Sequence, residues 1–285
     1  MRGLMVLLFL VPQDVKLEPK AVVGEKTTVS VDSTLDVEIL VKDGEGESTR
    51  FLSVVRREKF IQEVTRVADG APAGLTIACV SSTLQKSGTN LALGTTTTPL
   101  AGKSFVGARS AQGWLVKDVE GKGIPAEGRS LGAWNDYVRL LPKGAVKAND
   151  VWKVDGRDVA DLLFPPGTTE VAGALECSLE SMSGSRATIL VKGAVEGRGK
   201  DETISALTLS GSRLVFDTRS GKPLLLAING SLEMKRTVAE AYLKTEEGKD
   251  EKKDDKKADK KKDEVRKIGE ILSRSRKLEV SFIFE

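Results

Sequence analysis

Apolar and polar side chains alternate with a period of two through most of this chain. Val29 and Val31 alternate with Thr28 and Ser30, and Val37, Ile39 and Val41 alternate with Glu38, Leu40 and Lys42. Near the other end Leu278, Val280, Phe282 and Phe284 alternate with Lys277, Glu279, Ser281 and Glu285. Successive side chains of a strand point to opposite faces, so the pattern predicts strands with one dry and one wet face, the habit of antiparallel sheets. Between 170 and 235 four such runs, at 171–181, 186–196, 203–216 and 224–234, read as a meander. Asp43-Gly44, Asp69-Gly70, Asp155-Gly156 and Asn229-Gly230 tolerate positive φ and are the candidate hairpin turns.

Helical spacing is confined to a few places. Leu131, Trp134, Val138 and Leu141 recur at i, i+3, i+7 and i+10 before Pro142, which predicts a helix over 131–141. Residues 157–164 add a helical turn or two before Pro165-Pro166-Gly167. Over 58–67, Phe60, Ile61, Val64 and Val67 fit a helix and a strand almost equally well. The predicted fold class is α+β, mainly antiparallel β: curved sheets or half-barrel meanders with a short helical segment in the middle. The expected organisation is a signal peptide at 1–13, a β-rich half at 14–130, a helical middle at 131–166, and a C-terminal meander at 167–285. That meander carries an insertion at 244–264, where nine lysines and nine acidic residues leave Ala258 the only apolar side chain. Such a stretch buries too little to offset its ordering entropy, and it reads as a solvated spacer between neighbouring strands.

Composition narrows the chemistry. With no histidine, the chain lacks the side chain that titrates near neutrality, and with two cysteines it has no Cys/His zinc site. Lys and Arg exceed Asp and Glu by 44 to 41, too small a margin to call for a nucleic-acid partner. Arg274-Ser275-Arg276-Lys277, the densest basic cluster outside the insertion, reads as a strand lead-in with snorkelling cations. At the amino terminus, residues 4–11 form an apolar run after Arg2, too short to span a bilayer and laid out as a secretory leader. Export to the periplasm or beyond is the expectation, with a cytoplasmic protein as the alternative.

Motif resemblances dissolve on inspection. Gly128-Arg129-Ser130-Leu131-Gly132 fits a nucleophile elbow, but no imidazole exists to accept the serine proton and the approach is a loop. Gly102-Lys103-Ser104 ends like a phosphate-binding loop, yet Thr97 stands where its first glycine belongs. Gly121-x-Gly123-x-x-Ala126 is interrupted by Pro125. Asp43-Gly44-Glu45-Gly46-Glu47 lacks the ligand run of a calcium loop and reads as a hairpin tip. Paired carboxylates remain open as a His-independent hydrolase. Trp114, Trp134 and Trp152 read as core, with a ligand-facing ring the alternative for the last two. Cys79 and Cys177 are candidates for a disulfide, which in an exported chain closes a loop of about 100 residues, worth about 4–5 kcal/mol in the chain-entropy account.

Val15-Lys16-Leu17-Glu18-Pro19-Lys20 followed by Gly24-Glu25-Lys26, and Leu141-Pro142-Lys143 through Val146-Lys147, Asp150 and Trp152, resemble uncharacterised secreted bacterial β-rich proteins with an LP-x-x-x-V-K-x-x-D-x-W signature. Asn149 stands where many members have glycine. The resemblance implies export and a mainly antiparallel fold. A more distant similarity in shape is to envelope lipid carriers, whose curved sheet surrounds an apolar hollow. The expected function is accordingly a non-catalytic, cofactor-free protein with no stable membrane span, binding lipid or another apolar ligand on a concave sheet. A structural envelope module with a filled core, partnered by an envelope protein, is the alternative.

Overall fold

The computed structural model of the chain describes residues 14–43, 46–110, 113–120, 124, 128, 131–165, 168–199, 203–239 and 268–285. The expected leader at 1–13, the charged insertion at 244–264 and the Ser130 of the elbow-like motif lie outside them. The described residues form twelve strands: β1 (Lys26–Asp43), β2 (Gly46–Ala68), β3 (Ala71–Gly88), β4 (Leu91–Thr97), β5 (Ser104–Ser110), β6 (Gly113–Asp118), β7 (Val151–Asp155), β8 (Thr169–Ser183), β9 (Arg186–Arg198), β10 (Ile204–Asp217), β11 (Lys222–Ala239) and β12 (Ile268–Phe284). All pair antiparallel in one sheet, in the order β6-β5-β3-β2-β1-β12-β11-β10-β9-β8-β7. The short strands β4 and β5 share one edge of β3, β4 beside Thr83–Gly88 and β5 beside Gly74–Ala78. No helix among the described residues is long and apolar enough to cross a membrane.

Two features set this sheet apart from a simple meander. The earliest and latest strands, β1 and β12, pair with each other at its centre, from Val29 opposite Phe284 to Lys42 opposite Glu270. The two outermost strands, β6 and β7, are neighbours in sequence, joined by the segment that contains the helical middle. The predicted meander is present as β8 to β11, and the flanks of the charged insertion pair directly as β11 and β12.

The candidate turns divide. Asp69 and Gly70, both at positive φ, close the β2–β3 hairpin, and Asp43 opposite Gly46 closes the end of β1–β2. Asp155-Gly156 instead ends β7, with the Asp155 carboxylate accepting a hydrogen bond from the Arg157 N–H to start a 3₁₀ turn. Asn229-Gly230 lies inside β11, opposite a bulge in β10. Ser212 fills that bulge, its hydroxyl accepting from the Asn229 N–H at 2.9 Å and donating to the Asn229 carbonyl at 3.0 Å. A Cβ at Gly230 would sit 2.2 Å from the Thr208 carbonyl, so close backbone approach, not a turn, requires glycine there.

The residues 58–67 are strand, not helix. Phe60 and Val64 face the core while Ile61 is exposed. The helical middle is present but wound differently from the expectation: Ala133–Leu140 is a 3₁₀ segment. Its face repeats every three residues, so Leu131, Trp134, Tyr137 and Leu140 are buried and the Val138 of the expected α-helical stripe is only half-buried. After β7 a second 3₁₀ turn (Gly156–Val159) runs into α1 (Ala160–Leu163). These pieces lie on the apolar face of the sheet, where one core cluster links Val29, Phe60, Ile77, Leu179, Ile189, Leu214 and Phe216 with the middle segment.

Candidate functional site

The middle segment crosses the sheet through its aromatic side chains. Trp134 packs against Phe60 of β2 and Phe282 of β12, with ring centroids 5.2 and 6.3 Å apart. Tyr137 packs against Phe216 of β10 and Phe284 of β12 at 6.3 and 6.2 Å. Buried polar groups are matched. The Trp134 indole N–H donates to Gln62 Oε1 at 2.9 Å, and Asn135 Nδ2 donates to the same oxygen at 3.1 Å. Asp136 Oδ1 accepts from Trp114 Nε1 of β6 at 3.2 Å and pairs with Arg109 of β5 at 2.8 Å. Burial raises the Asp136 carboxyl to about 6 against the opposing pull of the Arg109 guanidinium and the Trp114 hydrogen bond. At the far end of the segment, Trp152 Nε1 of β7 donates to the Leu140 carbonyl at 2.9 Å.

Beside this segment the apolar face is left open, and a cavity of about 640 Å³ remains. Strand register explains its lining. Three successive inward-facing rungs run across β3, β2, β1 and β12: Ser82–Glu58–Val31–Phe282, Leu84–Arg56–Ser33–Val280 and Lys86–Val54–Leu35–Leu278. Leu131, Ala133 and Trp134 form one wall and Asp161 through Pro165 another. The lining is mainly apolar, with Arg56, Glu58 and Lys86 as its sheet-borne charges. Ser82 Oγ donates to Glu58 Oε1 at 2.7 Å and accepts from Thr98 Oγ1 at 2.6 Å, while Arg56 stands 3.9 Å from Glu58 Oε2. A second cavity of about 260 Å³ lies toward the start of β1, lined by Gln62, Asn135, Tyr137, Pro72 and Phe284 among others. Burial raises the Tyr137 phenol well above its ordinary range, so it enters that cavity as a neutral hydroxyl.

The polar and reactive residues singled out from sequence fall elsewhere, while Leu131, Trp134, Leu278, Val280 and Phe282 line the larger cavity. Cys79 on β3 and Cys177 on β8 are buried free thiols, not a bridge. Burial pushes them up to about 11 and about 12, with Glu58 adding to the effect at Cys79, so both are neutral and poor nucleophiles. Gly102, at positive φ, belongs to the tight turn between β4 and β5, where the Lys103 carbonyl accepts from the Cys79 N–H at 2.8 Å. The basic cluster is spent on cross-strand pairs: Arg274 with Glu233 at 3.0 Å and Arg276 with Glu38 at 2.8 Å, its guanidinium 4.5 Å above the Phe51 ring. Trp134 does line the larger cavity, whereas Trp152 does not. Glu58 and Arg56 were legible as charges sharing the face of Phe60, two and four residues before it along the strand. Lys86 was not, because the bulge at Val80–Ser81 reverses the phase of β3 before it arrives.

No protein-family model, no curated protein and no solved structure matches the chain.

Proposed function

We propose that the protein is a non-catalytic carrier that holds an apolar ligand, a lipid, in the larger cavity on the concave face of a curved sheet. The observation that carries this reading is the cavity itself: about 640 Å³, lined mainly by apolar side chains, with a few polar groups gathered on β2 and β3. Curvature is supported by hydrogen bonds. Trp114 on β6 and Trp152 on β7 reach residues only four apart in the middle segment, and the Trp114 N–H also reaches Asp161 Oδ2 at 3.3 Å. In a flat sheet those two outermost strands would lie about 48 Å apart, from ten gaps of about 4.8 Å. A sheet bent around its own middle segment brings them together. Residues 4–11, read as a secretory leader, support an exported site of action.

The test is organic extraction of the purified chain followed by titration with tetradecanol, read by tryptophan fluorescence. One saturable site is expected, and Val280→Trp, which fills the cavity, should abolish it while leaving the circular dichroism spectrum intact. No extractable lipid together with no saturable binding overturns the carrier reading. That outcome would favour the second reading, a structural module of the envelope, which draws support from the way Trp134, Tyr137 and Leu140 already cover the centre of the sheet face.

A further inference from the structure

We infer that the cavity takes a single-chain amphiphile with an anionic head group, and that Arg56 and Lys86 receive the head. The inference rests on the carrier reading and specifies its ligand. Size limits the chain. A methylene is about as large as a water molecule, whose share of liquid volume is about 30 Å³, so the cavity holds roughly twenty such groups. That is room for one long acyl chain and its head.

Charge selects the head. Val54 pairs with Lys86 and Arg56 with Leu84, so Arg56 and Lys86 are diagonal neighbours on one face of the β2–β3 ladder. Ser33, opposite Arg56 on β1, completes a donor cluster. Both acids that share the cavity are engaged: Glu58 accepts from Ser82, and Asp161 accepts from the Trp114 N–H. Among the described residues the Lys86 ammonium makes no hydrogen bond or ion pair, and the Arg56 guanidinium, its side chain only 25% exposed, has Glu58 alone at 3.9 Å. A guanidinium and an ammonium with donors to spare, at one side of an apolar hollow, fit a carboxylate or phosphate followed by a hydrocarbon chain.

The experiment titrates the full-length chain at pH 8 with four probes of one chain length: tetradecanoate, tetradecyl phosphate, tetradecanol and tetradecyltrimethylammonium. At least one anionic probe should bind about tenfold more tightly than the alcohol, the increment of one or two charge-assisted hydrogen bonds, and the cation more weakly than the alcohol. Preference for tetradecanoate would point to a free fatty acid, and preference for the phosphate to a lysophospholipid-type head. Lys86→Gln and Arg56→Gln should each remove the anion preference, bringing the ratio of anion to alcohol affinity close to one, with melting temperature measured alongside; Lys86 is exposed, so its replacement spares the fold. Equal binding of anionic, neutral and cationic probes overturns this inference and leaves the carrier reading standing. Failure of all four overturns the carrier reading itself.

Discussion

Asp136 is an acid buried where the middle segment meets the sheet, and its position has a pH signature. Desolvation favours the protonated carboxyl, so folding raises its pKa from the ordinary carboxylate range to about 6. An acid shifted upward binds its proton more tightly in the folded state. Its contribution to stability is therefore present at acid pH and is lost as pH rises through about 6. Asp136→Asn keeps the shape and the acceptor for Trp114 and removes the titration. The unfolding free energy of the parent relative to this variant should fall by up to about 3 kcal/mol between pH 4 and pH 7.5, measured in urea. A difference that stays level across that window would mean the Arg109 pair holds the carboxylate ionised throughout.

The 3₁₀ segment is the element on which the interior depends. Gly132, at φ +86°, turns the chain into it, and a Cβ there would lie 3.2 Å from the Trp114 ring. Trp134, buried between Phe60 and Phe282, then separates the two cavities, its ring on the larger and its N–H on Gln62 of the smaller. Trp134→Ala should cost about 3–5 kcal/mol in urea unfolding, the usual range for a large core aromatic, and should raise the capacity of the larger cavity for longer alcohols. Elements of this kind differ in how plainly they are written in sequence. The β8–β11 meander was readable because alternation runs unbroken through β9 and resumes beyond the bulges in β8, β10 and β11, with turn residues between the strands. The middle segment was readable as helical from its spacing, but apolar side chains at 131, 134, 137, 138, 140 and 141 fit periods of 3.0 and 3.6 alike, and Tyr137 was missed in favour of Val138. Over 58–67 the ambiguity came from Ile61, an apolar side chain on the exposed face, from Gln62, a polar one in the core, and from the bulge at Thr65, which breaks the period of two before Val67. Beyond Trp134 and the charges on the face of Phe60, the lining of the cavity was not readable, because its walls come from β1, β2, β3, β11, β12, the middle segment and α1, and their meeting is decided by pairings far apart in sequence.

At the scale of the whole molecule, β12 is the most exacting part. It supplies Phe282 and Phe284 to the two aromatic clusters and bridges β1 to β11 along nearly its full length. A chain ended after residue 267 leaves both neighbours with unpaired backbone in mid-sheet, and it should lose the cooperative urea transition and form high-molecular-weight species on gel filtration. Retention of a cooperative transition with a near-parental midpoint would show that the two halves of the sheet stand independently. The full chain should refold slowly, in milliseconds to seconds or longer, because so many of its contacts are distant in sequence; stopped-flow fluorescence of the buried tryptophans reads this directly.

The central pairing of β1 with β12 also sets a schedule during translation. About 240 residues separate the partners, and a ribosome adds roughly 5–20 residues per second, so β1 waits about 12–50 seconds for the strand that completes its ladder. Through that interval the nascent chain can pair β1 with β2 alone, so that β1 presents an eighteen-residue edge with no neighbour on its other side. Exposure of that edge is thus a consequence of topology for any chain that folds while it is being made.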